Sequence, residues 1–326
     1  MGKGFPKLVE AGMDRVIMGR VGIFYTGEMG TALSRSLLHS GFKVLSSPSG
    51  RSDRTRRNAE NNGITLKESI EEVISESGLI FCLVPPNCAV EVAELLSGAM
   101  RRTGKSPLYV DCNSVGPGTM QTIESVIKRC GAELLDGVFI GSASMLGSKT
   151  TLYLSGERAE ELARFLDQAV RVVALGKEVG DASAFKMCFA GFNKGLVALF
   201  LEIVTVADRI GKREMLLQSL EDFYPGTIET VRRLLPTYPI HCERRVQEME
   251  ELVSFLCELG QVPAMSVGIC SVLEFLTKIF MDEIGGKGKD RRWTSNEILD
   301  ICSARGLLRD SRSKDCELMK SNVTER

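Results

Sequence analysis

VGIFYTGEMG, residues 21–30, reads as three pieces in succession. Val21, Ile23 and Phe24 make a short buried strand, Thr26-Gly27-Glu28-Met29-Gly30 a tight turn, and Met29, Ala32, Leu33 and Leu37 one face of the helix that follows. Such a helix start presents unpaired backbone N–H groups and the positive end of the helix dipole, a favourable seat for a pyrophosphate. Gly27 removes the side chain that would hold an anion off, and Gly30 lets the helix lie close on its strand. The glycine pattern G-x-G-x-x-G is incomplete, because Tyr25 stands at its first position. Taken alone, the stretch is also compatible with a strand-to-helix turn that binds nothing.

At 326 residues, with 44% apolar and 25% charged side chains, the chain has the length and composition of two globular domains. Its 41 basic and 42 acidic residues leave a formal net charge of -1, so no global field argues for nucleic acid or an anionic membrane as partner. The cysteines form no C-x-x-C pair, and Cys82, Cys112, Cys188 and Cys270 fall in apolar runs, which reads as reduced thiols in a cytoplasmic protein. His39 and His241, the only histidines, lie far apart and outside any zinc-ligand spacing, so no metal is expected. The first residues lack the apolar run of a signal peptide. No segment offers about 18 uninterrupted apolar residues, and Leu196 to Ala207, interrupted by Glu202, reads as a buried helix rather than a membrane span.

Gly41 closes the first helix, and Phe42 to Leu45 supply a second strand, as a βαβ unit requires. The residues after it, SSPSGRSDRTRR at 46–57, hold no acid before Asp53 to bind a ribose 2′-hydroxyl. Ser49, Gly50, Arg51 and Ser52 instead suit a 2′-phosphate, which favours NADPH over NADH, while Arg56 and Arg57 read as a solvated helix start. Gly78 to Val84 is a continuous apolar run ending in Pro85-Pro86, typical of a central parallel strand, and places Val84 and Pro85 at the end where ligands collect. Pro107 to Asp111 forms another strand, running into Cys112-Asn113-Ser114, polar residues that face the nicotinamide end of the cofactor. A helix from Thr119 to Cys130, a strand from Glu133 to Asp136 and the segment Gly137 to Ala143 follow. The first half is thus α/β, a Rossmann-type doubly wound parallel sheet.

Four motifs then occur in order: G-E-M-G at Gly27 to Gly30, D-x-N-S-V-x-P at Asp111 to Pro117, D-G-x-x-I-G at Asp136 to Gly141, and G-x-x-S-A-x-K at Gly180 to Lys186. Together they resemble the β-hydroxyacid dehydrogenase and 6-phosphogluconate dehydrogenase superfamily. G-R-S-x-R-T-R at Gly50 to Arg56 and R-x-x-E-M-x-E at Arg245 to Glu251 resemble its branch with a variant C-terminal domain. The resemblance implies an all-α C-terminal domain around one long central helix, read here as Ser183 to Ile210, and a homodimer. It also implies Lys186 as the general acid/base, with Asn113, Ser114, Gly141, Ser142 and Asn193 binding a small-molecule substrate. A lysine among Ala184, Phe185, Met187 and Phe189 should be partly desolvated, which suits it to proton exchange. Ala190 stands where relatives carry Asn, and Asn193 replaces the acid of the decarboxylating relatives, which argues against oxidative decarboxylation.

The expected organisation is an N-terminal extension (1–18), a Rossmann NADP-binding domain (19–179), an all-helical domain (180–285), and a linker, terminal helix and flexible tail (286–326). Helices are expected at Met215 to Phe223, Thr227 to Leu235, Arg244 to Leu259 and Met265 to Ile284. Glu248, Glu250 and Glu251 read as a solvated face with Arg244 and Arg245. The leading reading is an NADP-dependent oxidoreductase of small hydroxy acids or carbonyl compounds. The alternatives are an NADP-binding sensor or assembly protein and an imine-type reductase.

Overall fold

The structure, a computed structural model, describes residues 19–50, 53–284 and 291–305. Arg51 and Ser52, and with them the expected guanidinium for a 2′-phosphate, lie outside the described residues, as do the N-terminal extension and the tail.

The chain forms two compact units, dividing between Lys186 and Met187. The first alternates strands and helices in the order β1 (Arg20–Phe24), α1 (Glu28–His39), β2 (Lys43–Ser46), α2 (Asp53–Asn61), β3 (Thr65–Leu66), α3 (Ile70–Glu76) and β4 (Leu79–Cys82). It continues with α4 (Ala89–Thr103), β5 (Leu108–Asp111), α5 (Pro117–Lys128), β6 (Leu134–Ile140), β7 (Thr151–Ser155), α6 (Ala159–Leu166) and β8 (Val172–Gly176). The sheet order is β3-β2-β1-β4-β5-β6-β7-β8. Both faces are covered, so the strands read as unbroken apolar runs whose alternate residues enter two cores. Val21, Ile23, Leu79, Phe81 and Val110 pack in one, and Phe24, Ile80, Cys82 and Tyr109 in the other.

The chain leaves β1 for β2 on one side and returns to β4 on the other, so the crevice beyond β1 is the topological switch point where α/β sheets bind ligands. The expected sheet needs two corrections. β7 runs antiparallel to β6, because only the short loop 141–150 joins them and a parallel return needs a longer crossover. The strand expected at Glu133 to Asp136 continues through Gly137 to Ile140 as the second half of β6.

Helix α7 (Asp181–Arg209) carries its first residues in the first unit and the remainder in the second. The second unit adds α8 (Arg213–Phe223), α9 (Pro225–Leu234), α10 (Tyr238–Glu258), α11 (Ala264–Ile284) and α12 (Ser295–Arg305). α10 begins before the expected Arg244, since Pro239 is tolerated in a first helical turn, where no intrahelical N–H bond is needed. Its core gathers Leu201 and Val204 of α7 with Met249, Leu252, Leu273, Leu276 and Phe280. α10 and α11 approach α7 closely because Gly191 and Gly195 have no side chains. A Cβ on Gly191 would lie 2.4 Å from Leu252 Cδ2, and one on Gly195 3.0 Å from Ile269 Cδ1.

Two expectations for this unit hold only in part: α7 is its long central helix and Glu248 does pair with Arg244. α7 is apolar on nearly every face, yet Phe189, Phe192, Leu199, Ile203, Val206 and Ile210 are exposed, because the surrounding helices cover only part of its circumference. Glu248 is not on a solvated face: its carboxylate takes an ion pair from Lys194 Nζ at 2.9 Å, and Lys194 is only 4% exposed. By length and composition, α7 and residues 264–282 of α11 are long and apolar enough to cross a membrane.

Candidate cofactor and active site

The glycine turn is held by side-chain hydrogen bonds from both helices beside it. Thr31 Oγ1 donates to Thr26 O at 3.1 Å, and Asn58 Nδ2, from α2, donates to Thr26 O at 2.9 Å and Thr31 Oγ1 at 2.7 Å. The two glycines serve different ends. A Cβ on Gly30 would sit 2.2 Å from Tyr25 O, so helix and strand meet only because it is absent. Gly27, at the N-cap of α1, has an ordinary φ of -71°, and a Cβ there would meet nothing within 4 Å. Neither backbone geometry nor packing demands glycine at 27, and its bareness leaves open space for a phosphate at the N–H groups of α1. The residues present therefore fit the pyrophosphate of a dinucleotide.

Tyr25 does not close this space. It is 7% exposed, and its ring stands edge-on to Phe24, 5.4 Å between centroids, within the second core cluster. Beside the turn lies a cavity of about 950 Å³ lined by Thr26, Gly27, Glu28, Thr55, Arg57, Asn58 and Asn61. Arg57, one turn into α2, is exposed as a solvated helix start would be, and it is also among the residues that line this cavity. Met29 is half-buried against the first core cluster. Ser49 and Gly50 are exposed after β2, Gly50 with a φ of 71°.

At the carboxyl ends of β4 and β5, Asn113 is 1% exposed and internally bonded: Oδ1 accepts from Val84 N at 2.6 Å, and Nδ2 donates to Cys82 Sγ at 3.6 Å. Its amide ties the two strand ends together, and Pro85 follows exposed. The next residue, Ser114, accepts a hydrogen bond from Lys186 Nζ at 2.7 Å. Gly141 and Ser142 follow β6, with Ser142 Oγ 2.9 Å from Ser144 Oγ. Asn193 lies in the second unit, half-buried, seven residues beyond Lys186 on α7.

Behind Ser114 and Lys186, two aspartates are wholly buried. Burial pushes Asp111 up to about 7, against the pull of the Asn113 N–H bond, and Asp136 up to about 6, against its bonds to Ser183. Burial likewise pushes the Cys112 thiol and Tyr109 hydroxyl well up. The sequence motifs contain both aspartates, but nothing in their spacing says that they stand side by side beneath the lysine.

The sequence and fold of the chain are similar to those of known proteins. Residues 20–175 fit the profile of the NAD binding domain of 6-phosphogluconate dehydrogenase, and residues 207–276 that of a domain of unknown function, DUF1932. A solved conserved protein of unknown function, described as structurally similar to 3-hydroxyacid dehydrogenases, is 30% identical, with a TM-score of 0.65 over 79% of this chain and 97% of its own. The chain belongs to the 6-phosphogluconate dehydrogenase-like family. It is accordingly a nicotinamide-dependent dehydrogenase or reductase of a small molecule.

Two enzymes of stated activity are also similar to this 6-phosphogluconate dehydrogenase-like protein. Glyoxylate/succinic semialdehyde reductase 2 of Arabidopsis thaliana is 26% identical over 59% of this chain and 54% of its own length. The NADPH-dependent reductive aminase of Aspergillus oryzae is 26% identical over 57% of this chain and 63% of its own. The match spans less than two thirds of either enzyme.

Proposed function

We propose that this protein is an NADPH-preferring reductase of small carbonyl compounds, or the reverse dehydrogenase of the matching hydroxy acids, with Lys186 as general acid/base. The observation that carries this reading is the Lys186 Nζ to Ser114 Oγ hydrogen bond at 2.7 Å, at the carboxyl end of β5. A lysine held there presents a proton where a substrate oxygen can take the place of, or bridge to, the serine hydroxyl. The nicotinamide, when bound, supplies or accepts the hydride. The chain's own residues do the rest: Thr26 to Gly30 seat the pyrophosphate, and Val84 and Pro85 border the cofactor. Lys186 gives its proton to the carbonyl oxygen during reduction, or takes the hydroxyl proton in reverse. Asn113, Ser114, Gly141, Ser142 and Asn193 are proposed to bind the substrate, Asn113 by holding the loop that carries Ser114.

NADPH preference rests on Arg57 and Thr55 lining the cavity beside the glycine turn, and on the absence of an acid between the end of β2 and Asp53. A guanidinium suits a 2′-phosphate dianion through charge-assisted, bidentate hydrogen bonds. A homodimer is supported by the exposed residues Phe189, Phe192, Leu199, Ile203, Val206 and Ile210, which recur three, four or seven apart along α7. The cysteines among the described residues are all free, which fits a reducing compartment such as the cytoplasm.

The test is a turnover screen of glyoxylate and succinic semialdehyde with NADPH, followed by nicotinamide absorbance. Lys186→Ala should lose at least about 100-fold in kcat, the scale of general acid–base catalysis, with NADPH affinity unchanged. Equal turnover by the variant would remove Lys186 from the mechanism. The likeness to a reductive aminase supports a second reading, an imine-type reductase; NADPH consumption that requires an amine together with the carbonyl compound would select it.

A further inference from the structure

Asp111 on β5 and Asp136 on β6 are register partners in adjacent parallel strands, and each is fully buried. Two carboxylates placed in this way repel one another and are costly to desolvate, so donors must hold them. The donors found are informative. Asp111 Oδ1 accepts from the backbone N–H of Asn113 at 3.0 Å and Oδ2 from the Tyr109 hydroxyl at 3.3 Å. Asn113 immediately precedes Ser114, so this carboxylate pins the loop that presents the Ser114 hydroxyl. Asp136 Oδ2 accepts from the backbone N–H of Ser183 at 2.8 Å and Oδ1 from the Ser183 hydroxyl at 2.9 Å, and Gly180 adds a backbone donor. Ser183 lies in the first turn of α7, three residues before Lys186, and the neighbouring Ala182 N–H is taken by Ser155 Oγ at 3.0 Å. Asp136 is therefore a cap supplied from another element to the helix start that carries the lysine.

We propose that Asp111 and Asp136 act as a pair of positioning residues, one fixing the loop of Ser114 and the other the helical turn of Lys186, and that their negative charge holds the Lys186 ammonium in its charged form. The inference rests on Lys186 being the acid/base. Tyr109 and Asn113 face Asp111, Cys112 stands against both aspartates, and Ser183, Gly180 and the Lys186 ammonium of α7 face Asp136, so the cation acts on Asp136 directly and Asp111 stands one carboxylate further back. Burial lifts both aspartates into the range about 6 to about 7, so the charge behind the lysine changes as the medium passes through neutrality. A polar pair serving only to fill the core would give a different pattern: its loss would lower stability and leave the lysine's protonation untouched.

The decisive experiment needs no substrate. The full-length protein and its Asp136→Asn variant, which keeps the size and one acceptor oxygen, are acetylated in trace amounts with acetic anhydride across pH. Labelling at Lys186 is read by mass spectrometry against the exposed Lys105. The midpoint of the Lys186 curve should fall by about one unit in Asp136→Asn, the effect of removing an opposite charge nearby. Asp111→Asn should shift it in the same direction and carries the same test should Asp136→Asn not fold. Curves that superimpose on wild type in a folded variant would overturn the proposal. On an active substrate the variants should lose about 10-fold to 100-fold in kcat, as for other groups that orient a reacting side chain, with NADPH affinity within about two-fold. Failure of every carbonyl screen would count against the proposed function while leaving the labelling result to be judged by itself.

Discussion

Gly27 and Gly30 are chemically identical and three positions apart, yet they answer to different demands. Gly30→Ala drives a Cβ into the Tyr25 carbonyl and should destabilise the first unit by about 1–3 kcal/mol, as overpacking does, seen as a lowered melting temperature. Gly27→Ala meets nothing and should cost less than about 1 kcal/mol, the difference between glycine and alanine at an N-cap. It should nevertheless weaken NADPH binding at least about 10-fold, because the methyl occupies the phosphate's approach. Equal effects of the two substitutions on stability and binding would contradict this division. The packing role of Gly30 was legible in the sequence, since a strand-turn-helix pattern brings the helix down on its strand there. Tyr25 was not: whether a ring at the first glycine position enters the site or the core depends on packing that Phe24 and the strands beside it decide. Arg57 escaped for a similar reason, because its place beside the glycine turn follows from where α2 packs rather than from its own neighbours.

α7 and α10 were recognisable from their apolar periodicity, but the charges they bury were not. The pair Lys194–Glu248 joins residues far apart in sequence, and single-helix patterning assigned Glu248 to a solvated face with Arg244. Replacing Lys194 with Met leaves that carboxylate with Arg244 alone and should cost about 1–3 kcal/mol in chemical denaturation, less than the full penalty of a broken buried pair because Glu248 retains a partner and some solvent. The double replacement Lys194→Met with Glu248→Leu should recover most of that loss. The strands carry a second consequence. Asp111 has an ordinary value of 3.8 and is raised to about 7 in the fold, so between these values the folded chain keeps a proton that the unfolded chain has released. Its stabilising contribution is fully present below 3.8 and is lost as pH rises through about 7. Asp111→Asn should therefore raise the melting temperature at about pH 8 relative to wild type, by about 2–4 °C per kcal/mol relieved, and do so less at about pH 5. A gain that is the same at both values would show that the buried charge is not its source.

Within the first unit a glycine turn and two buried aspartates belong to one doubly wound sheet, with Lys186 on the first turns of α7 bonded to Ser114, and further along α7 an apolar stripe is exposed. Five parallel strands of a doubly wound sheet were readable from alternating strand and helix patterns; the two-residue β3 was too short to show a pattern, and the antiparallel β7 was missed because a short return loop has no distinctive composition. Phe192, 67% exposed near the start of the stripe, tests what covers it. Sedimentation should show a dimer that Phe192→Glu converts to monomer, whereas a monomer that partitions with membranes would assign the stripe to lipid. The cofactor reading is tested most directly by titrating the purified protein with NADPH and, separately, NADH, following nicotinamide fluorescence. The account predicts saturable NADPH binding, at least about 10-fold weaker for NADH and weakened by a similar factor in Arg57→Ala, the loss of a charge-assisted contact. Binding of neither nucleotide would contradict the nicotinamide site itself, and equal binding of both would remove the phosphate preference assigned to Arg57.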